Sequence, residues 1–367
     1  MSKIKKAKTP GLLIKEFATI LLKWNKDQNT RQMPWKGEKD PYKIWLSEII
    51  LQQTRVEQGL NYYNNFIKTF PDIHKLAKAP DEKVFKLWEG LGYYSRCRNL
   101  ITTARYIAKD IKGKFPDNYE EIRSLKGIGP YTAAAIGSFA FNLPYAVVDG
   151  NVFRVLSRVF GIEKPIDSTE GKKYFTTLAQ ELLDKKQPGS YNQAIMDFGA
   201  VVCKPVPACQ HCVFNKKCAA FIENRIADLP VKEKKIIVKK RWFYYLVLEY
   251  KNEIAIRQRV EKDIWQQLYE FPMLELAKEN TIEHILSLAE KQGVINRSGY
   301  DIISISPLLR QQLSHQLIAG RFIRLKLKRK PANNKNWVFV SEKKINNYAF
   351  PRIINQYHAE NMKQTLF

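Results

Sequence analysis

Apolar side chains recur at helical spacing through the first part of the chain. Residues 10–25 carry Leu, Phe, Ile and Trp side chains at this spacing, which predicts one amphipathic helix. From residue 42 to about residue 142 the same spacing returns between short breaks that contain proline or glycine. We therefore expect an all-helical region, with breaks at Pro71, Pro80, residues 90–92 and Pro116.

The periodicity changes after a stretch that is rich in lysine. Residues 223–235 contain Pro230 and begin a lysine-rich run, which is typical of a basic interdomain linker. Beyond it the apolar positions alternate, and the C-terminal third is predicted to be a mixed α/β domain. Three segments there predict strands, the first two joined as a hairpin: 241–250, 253–257 and 321–329.

Composition and charge narrow the classes of function. The chain has 367 residues, of which 45% are apolar, so it can bury a core over two or three domains without disulfides. Its net charge of +25 favours a polyanionic partner, nucleic acid first and an anionic membrane surface second. No apolar run approaches a membrane span, and the N-terminal apolar patch is too short for a secretory signal. We expect a soluble intracellular protein.

Two glycines and a carboxylate stand close together in residues 125–151. Gly127 and Gly129 lie between a helix end and a helix-forming run, where a tight turn exposes backbone N–H groups that can bind phosphate. An ordinary turn fits the same glycines. Asp149 and Asn151 then open another amphipathic helix, where either residue could be only a cap.

A second carboxylate, Glu48, lies on an apolar helix face. Its neighbours at helical spacing are Ile44, Trp45 and Leu51. One interpretation is a partly exposed residue at the rim of that face. The other is a buried acid whose raised pKa keeps a proton available near neutral pH, as general acid catalysis requires.

Four of the five cysteines are clustered, and Cys97 stands apart in a predicted helix. In a reducing compartment, four thiols so close in sequence indicate a metal site. Zinc and a 4Fe-4S cluster both accept four sulfur ligands, and the spacing alone does not choose between them. The clustered residues are Cys203, Cys209, Cys212 and Cys218.

Several separated motifs resemble one family. Residues 125–151 resemble the helix-hairpin-helix and catalytic aspartate region of the endonuclease III superfamily of DNA glycosylases. The segment LSEIILQQT around Glu48 is similar to the catalytic-helix signature of the MutY family of adenine DNA glycosylases. The segment EGLGYYSRCRNL at 89–100 is similar to the family's DNA-inserting loop, and residues 236–360 resemble its Nudix-like domain. The resemblance extends from about residue 12 to residue 360.

The resemblance implies a reaction. Relatives that cleave the DNA strand carry a lysine at the position of Tyr131, so this chain is expected to remove a base without a lyase step. Glu48 would protonate a flipped-out adenine at N7 and then activate water, while Asp149 would stabilise the oxocarbenium ion. Tyr131 and Asn151 would hold these groups in register.

The resemblance also implies contacts to the DNA. Lys36 stands where the family often has arginine in the base pocket, and Leu51 would line the flipped base. Gln53 would contact the opposite base, and Tyr93 would be the aromatic wedge. Gly127 and Gly129 would bind the backbone phosphate.

For the cysteines and the C-terminal domain the resemblance implies more specific functions. It selects the 4Fe-4S cluster over zinc, although the five residues between Cys203 and Cys209 replace the family's usual six and could reshape a DNA-contacting loop. Ser314 and His315 match the pair that reads 8-oxoguanine, with Leu313 in place of an aromatic residue. No Nudix hydrolase box is present, so nucleotide hydrolysis is not expected.

Together these observations predict a monofunctional glycosylase that removes adenine opposite 8-oxoguanine or guanine. Its partner would be double-stranded DNA, and we expect a monomer in the cytoplasm, associated with the nucleoid and not with a membrane. An endonuclease III-like pyrimidine glycosylase and a catalytically silent DNA-binding scaffold are the alternatives. The expected domains are a six-helix barrel with the hairpin (30–141), a cluster domain (1–29 and 142–222), a linker (223–235) and an 8-oxoguanine-recognition domain (236–367).

Overall fold

The computed structural model describes residues 11–233, 237–331 and 336–364. The expectations for residues 1–10, 234–236 and 365–367 therefore lie outside the described residues. The chain forms two compact units. Unit 1 comprises Met1–Ala77 and Thr102–Lys235, and unit 2 comprises Lys78–Ile101 and Ile236–Phe367. The finer division into four domains stays a prediction.

Helices account for the regular structure of the described residues up to the linker, as predicted. The helix expected over residues 10–25 is α1. Among the described residues, no helix is long and apolar enough to cross a membrane. In chain order the helices are α1 (Gly11–Asp27), α2 (Pro41–Leu51), α3 (Val56–Thr69), α4 (Ile73–Lys78), α5 (Asp81–Trp88), α6 (Tyr94–Lys109), α7 (Tyr119–Ser124), α8 (Pro130–Phe141), α9 (Gly150–Phe160), α10 (Thr169–Leu182), α11 (Pro188–Val201) and α12 (Ala219–Ile222), with a 3₁₀ turn at Cys209–His211.

Local capping explains where the functionally important helices begin. Asp40 caps α2 by accepting a hydrogen bond from the Tyr42 N–H, and Pro41 occupies the first helical position. Pro130 plays the same part in α8, after Gly129. Asp149 caps α9. These three starts fix the ends of the helices that carry the predicted site residues.

One core cluster of unit 1 is built from the apolar faces of α1, α9, α10 and α11. Helix α11 packs against α1, α8 and α9, so it lies at the centre of this unit. Side chains that are at most 1% exposed in this core include Phe17, Leu21, Val155, Leu156, Phe175 and Phe198.

Unit 2 contains one mixed sheet with the strand order β3-β2-β1-β7-β5, in which β4 also pairs with β1, β6 with β7 and β8 with β2. Strands β1 and β7 are parallel, and the other pairs are antiparallel. The predicted β1–β2 hairpin is confirmed, as is the strand that contains most of residues 321–329. The strands are β1 (Lys239–Tyr250), β2 (Glu253–Gln258), β3 (Tyr269–Glu270), β4 (Met273–Leu276), β5 (Tyr300–Ile305), β6 (Leu309–Gln312), β7 (Gln316–Leu327) and β8 (Val338–Ser341), and the helices are α13 (Ile282–Lys291) and α14 (Arg352–Gln364).

Both faces of the central strand β1 are covered. Residues 241–248 are buried without interruption, as expected for a strand that has layers on both sides. On one face Leu246 and its neighbours pack with Ile285 of α13. On the other, Tyr245 stacks on Phe322 with ring centroids 4.7 Å apart, and Phe322 stacks on Tyr357 of α14 at 4.2 Å. The mixed α/β character predicted for this third is confirmed.

Candidate active site and cysteine cavity

Unit 1 contains a cavity of about 680 Å³. Its walls come from the loop before α2, the C-terminal half of α2, the N-terminal turns of α8 and α9, and one face of α11. It brings together residues that are far apart in the sequence. Seven predicted site residues line it: Lys36, Glu48, Leu51, Gln53, Tyr131, Asp149 and Asn151.

Glu48 is buried at the wall of this cavity, with 8% of its surface exposed. The exposed-rim interpretation is therefore wrong. Burial raises the pKa of Glu48 to about 7; a hydrogen bond from Tyr131 lowers it in part, and the like charge of Asp149 raises it. The side chain can thus hold a proton near neutral pH, as a general acid must.

Asp149 both caps a helix and lines the cavity, so the two interpretations are not exclusive. Its Oδ1 accepts a hydrogen bond from the Val152 N–H at 2.8 Å, and its Oδ2 accepts one from Asn151 Nδ2 at 2.9 Å. Burial raises the pKa of Asp149, and these hydrogen bonds partly offset that shift. Asn151 is itself fixed, because its Oδ1 accepts from Arg154 Nη2 at 2.8 Å.

Tyr131 lies in the first turn of α8, where the lyase relatives were expected to carry lysine. Its hydroxyl donates to Met196 Sδ at 3.4 Å, and as a hydrogen-bond donor toward Glu48 it lowers the pKa of that carboxyl. A thioether is a weak acceptor, so an ionised Glu48 draws this single proton more strongly. Burial raises the pKa of Tyr131, which keeps the phenol neutral.

A polar cluster on the α11 wall of the cavity was not predicted from the sequence. Asp197, on α11, is fully buried and forms ion pairs with Arg31 at 2.9 Å and Lys36 at 3.3 Å. Asn29 Nδ2 and Gln193 Nε2 donate to the same carboxylate at 2.8 and 3.0 Å. The available signal was the lone aspartate in the apolar run AIMDFGAV, the same signal that identified Glu48.

The turn after α2 presents the remaining cavity residues. Gln53 has a left-handed backbone (φ 57°) and is exposed, while Leu51 is half-buried. Gln52 Nε2 donates to Thr132 Oγ1 at 3.1 Å, which ties this turn to the start of α8. A non-glycine residue in that backbone region is often found at functional sites.

Gly127 and Gly129 form the turn between α7 and α8 and do not line the cavity. Gly127 has φ +82°, which favours glycine, and an added Cβ at Gly129 would meet no atom within 4 Å. The open surface at Gly129 suits the approach of a phosphate to the backbone. Phosphate binding there stays a prediction.

The predicted wedge and 8-oxoguanine-reading residues lie together in unit 2. Tyr93 is 43% exposed with φ 47°, and its hydroxyl hydrogen-bonds the Ser314 hydroxyl. The Arg96 guanidinium lies 5.5 Å from the centroid of the Tyr93 ring. Ser314 and His315 occupy the exposed turn between β6 and β7, and the Leu313 N–H closes this turn on the Gln316 carbonyl at 2.7 Å.

The four clustered cysteines line a second, mostly apolar cavity in unit 1. Burial raises the pKa of each of the four thiols, to about 11 for Cys212 and Cys218. In the described part of the chain, no set of three or more His, Cys, Asp or Glu side chains converges as a site for one metal ion. Cys97 is buried separately on α6.

The surroundings of the cysteines suit a group that is held by soft sulfur donors. Four soft sulfur donors face one cavity, and Arg158 Nη1 lies 3.8 Å from Cys203 Sγ, where it can offset negative charge. The Phe214 N–H donates to Cys212 Sγ at 3.4 Å. Arg158 also donates to the Lys204 carbonyl at 2.6 Å, so the short Cys203–Cys209 loop is fixed to α9.

Comparisons with known proteins agree with this architecture. A family model described as HhH-GPD superfamily base excision DNA repair protein matches residues 46–184, and a NUDIX domain model matches residues 243–360. A solved thermostable thymine-DNA glycosylase is 31% identical with a TM-score of 0.53, over 57% of this chain and 97% of that chain. An endonuclease III–DNA complex, 18% identical with a TM-score of 0.51, covers 59% of this chain and 98% of that chain and shows the fold alone.

These matches define the class: a helix-hairpin-helix DNA glycosylase, an enzyme that hydrolyses N-glycosyl bonds, with a Nudix-like domain after it. The predicted fold class is confirmed. An adenine DNA glycosylase of Buchnera aphidicola subsp. Baizongia pistaciae is 37% identical over 305 residues, 82% of this chain and 83% of the relative. The human adenine DNA glycosylase is 42% identical over 214 residues, 56% of this chain and 39% of the relative. The chain belongs to the MutY family of adenine DNA glycosylases.

Proposed function

We propose that this protein hydrolyses the N-glycosidic bond of adenine paired with 8-oxoguanine, or with guanine, in duplex DNA. The main support for the proposal is the burial of Glu48, which raises the pKa of this acid to about 7, in the range that a general acid needs. It lines one cavity with Asp149 and with Tyr131, where a lyase would need an amine. Base removal without strand cleavage follows from this set of residues.

The reaction begins with adenine flipped out of the duplex into the cavity. Protonated Glu48 donates its proton to N7, which makes the purine a better leaving group as the bond between N9 and C1′ breaks. The electron pair of that bond leaves with the base. Asp149, held by Asn151 and the α9 N-terminus, stabilises the positive charge that develops on the deoxyribose. Glu48, now ionised, accepts a proton from the water that attacks C1′.

The hydroxyl of Tyr131 can change its hydrogen-bond acceptor as Glu48 loses its proton. When Glu48 is protonated, the hydroxyl can donate to the Met196 sulfur, and after proton transfer it can donate to the carboxylate. The change of acceptor stabilises the ionised product state without a new charge in the cavity.

We further propose that Cys203, Cys209, Cys212 and Cys218 hold one 4Fe-4S cluster, with zinc as the alternative. Their soft ligands, apolar cavity and nearby Arg158 support this assignment. The cluster would supply a structural cross-link between α11 and the loops that follow it. Exposed lysines in these loops, Lys204, Lys216 and Lys217, can then meet DNA phosphates.

Selectivity for the damaged partner base is proposed to lie in unit 2. Support comes from the proximity of the exposed Tyr93 ring to Ser314, beside His315. An aromatic ring suits insertion into a base stack, and hydroxyl and imidazole groups suit readout of a base edge. We expect the protein to act as a monomer on DNA in the nucleoid.

The test is single-turnover cleavage of labelled duplexes that carry adenine opposite 8-oxoguanine, guanine or thymine, with and without alkali. We expect product chiefly for the 8-oxoguanine pair, with strand nicking only after alkali, and no product from Glu48→Gln. The matched control is Glu181→Gln, an exposed carboxylate on α10. Nicking without alkali would restore the lyase alternative, and binding without product would leave the DNA-binding scaffold.

A further inference from the structure

The segment between α1 and α2 forms a wall of the catalytic cavity without regular structure of its own. Residues 28–40 contain neither helix nor strand, and several of them, including Arg31 and Lys36, line the cavity. Such a segment holds one conformation only through contacts with a rigid part of the fold. Its polar contacts converge on Asp197 of α11, and that helix is packed into the core of unit 1 through Ile195 and Phe198.

The Asp197 carboxylate is fully used by these contacts. Oδ1 accepts from Arg31 Nη1 at 2.9 Å and from Gln193 Nε2 at 3.0 Å. Oδ2 accepts from Asn29 Nδ2 at 2.8 Å and pairs with Lys36 Nζ at 3.3 Å. Three hydrogen bonds and one ion pair thus occupy a carboxylate that has about four lone-pair sites. Asp197 is therefore placed to hold other groups and not to transfer a proton.

The contacts also close the segment upon itself. Lys36 Nζ donates to the Arg31 carbonyl at 2.9 Å, and the Asn29 amide oxygen accepts from the Arg31 N–H at 3.1 Å. Asn29, Arg31 and Lys36 are thus linked to each other as well as to Asp197. The two cations are about a quarter exposed, with side-chain values of 24% and 23%, on the side that faces the cavity.

We propose that Asp197 is a positioning residue, which fixes Arg31 and Lys36 as the wall against which the flipped base is seated. This inference rests on the proposed use of the cavity as the base-binding chamber. The base is held by contacts at fixed positions, and displacing such a wall by about 1 Å can cost about 100-fold in rate. Asp197 acts on the reaction through the two cations and does not touch the base.

The first experiment compares Asp197→Asn with the wild-type protein and with Asp228→Asn, which makes the same chemical change at an exposed position of unit 1. We expect single-turnover adenine release to slow about 100-fold in Asp197→Asn, while duplex affinity and the visible absorbance of the cysteine-bound group stay unchanged. A loss of duplex affinity that accounts for the slower rate would overturn the proposal.

A second readout reports base seating without cleavage. With 2-aminopurine at the target position, the wild-type protein should change the fluorescence on binding, and Asp197→Asn should reduce that change. A general loss of structure is checked by the melting temperature. An unaltered fluorescence change together with an unaltered rate would overturn the proposal. If the wild-type protein released no adenine, the proposed function would fail, while this readout would still test the positioning.

Two further variants separate positioning from simple support of the fold. Adding Asp197→Asn to Arg31→Met/Lys36→Met should slow the reaction no further, because the groups through which Asp197 acts are already gone. An additional, independent loss would overturn the proposal.

Asn29→Ala removes one donor to Asp197 without unpairing a charge, so it provides a milder test if Asp197→Asn does not fold. It should be several-fold slower than wild type at equal duplex affinity, and a wild-type rate would count against the positioning role.

Discussion

Two buried carboxylates line the cavity of unit 1, Glu48 and Asp197, and they have opposite surroundings. No cation contributes to the pKa shift of Glu48, and burial raises that pKa to about 7. Asp197 is buried more completely but pairs with Arg31 and Lys36 and accepts two amide hydrogen bonds. Burial alone therefore does not decide what an acid does. The groups that surround the acid also matter: they suit Glu48 to the proposed proton transfer and Asp197 to the proposed positioning of other side chains.

The largest expected effect is the fall in the rate of adenine release when Glu48 is replaced. Glu48→Gln keeps the shape of the side chain but removes its proton, so single-turnover adenine release should slow by about 10³-fold or more. A substrate that contains 7-deazaadenine tests the same proton transfer, because this base has no N7 to accept the proton. Glu48→Gln on adenine should be at least as slow as wild type on 7-deazaadenine, because the variant also lacks the base that activates water, and the combined loss should be smaller than the product of the two single losses. Full, multiplicative losses would show that Glu48 acts elsewhere.

Replacing Asp197, the acid that is paired with cations, should cost more stability than replacing Glu48. Asp197→Asn leaves two partly buried cations without their carboxylate, so we expect the free energy of unfolding to fall by about 3 kcal/mol at pH 7. Glu48→Gln removes a carboxylate that has no cationic partner and should not destabilise the protein at this pH. Urea unfolding of both variants measures the contrast, with Asp228→Asn as the matched surface change. Equal losses in Asp197→Asn and Glu48→Gln would remove the distinction between the two carboxylates.

The contrast also explains what the sequence could and could not predict. Glu48 and Asp197 each appear as a lone acid in an apolar helical run, but only Glu48 lies in a segment with a family resemblance that drew attention to it. The partners of Asp197 could not be predicted locally, because Arg31 is separated from it by 166 positions. The cysteine spacing indicated a metal site, whereas the apolar cavity and Arg158 beside it emerge only from packing.

The same limit applies to the C-terminal sheet. The β1–β2 hairpin was predictable because its strands adjoin in the sequence and alternate in polarity. The parallel pairing of β1 with β7 joins residues such as Lys239 and Gln316, and no local pattern specifies it. The contact between Tyr93 and Ser314 spans 221 positions, so the motifs located both residues but not their hydrogen bond. Short-range chemistry was predictable, and long-range pairing required the fold.

A smaller effect is expected in the dependence of stability on pH. The pKa of Glu48 rises from an ordinary 4.5 to about 7 on folding, so between these values the native state binds more protons than the unfolded state. Stability contributed by this group is complete below about pH 4.5 and is lost as the pH rises through 7, by about 3 kcal/mol in total. The difference between the unfolding free energies of wild type and Glu48→Gln, measured from pH 4.5 to 8, isolates this group. A difference that stays flat would contradict the raised pKa.

The smallest expected effect comes from removing the Tyr131 hydroxyl, which lowers the pKa of Glu48. The hydrogen bond from Tyr131 lowers the pKa of Glu48, so Tyr131→Phe should raise that pKa further above about 7. Because the acid must be protonated to react, the rate falls on the alkaline side of its pKa, and in the variant this fall should begin at higher pH. A neutral hydrogen bond contributes about 0.5–1.5 kcal/mol, so the displacement should not exceed about one pH unit. The measurement is the single-turnover rate from pH 5.5 to 9, beside Tyr106→Phe, which removes a hydroxyl from an exposed ring. A displacement to lower pH would mean that Tyr131 stabilises the protonated form of Glu48 by accepting a hydrogen bond from it, and the contrast with Asp197, whose carboxylate accepts from a fixed set of donors, would become sharper.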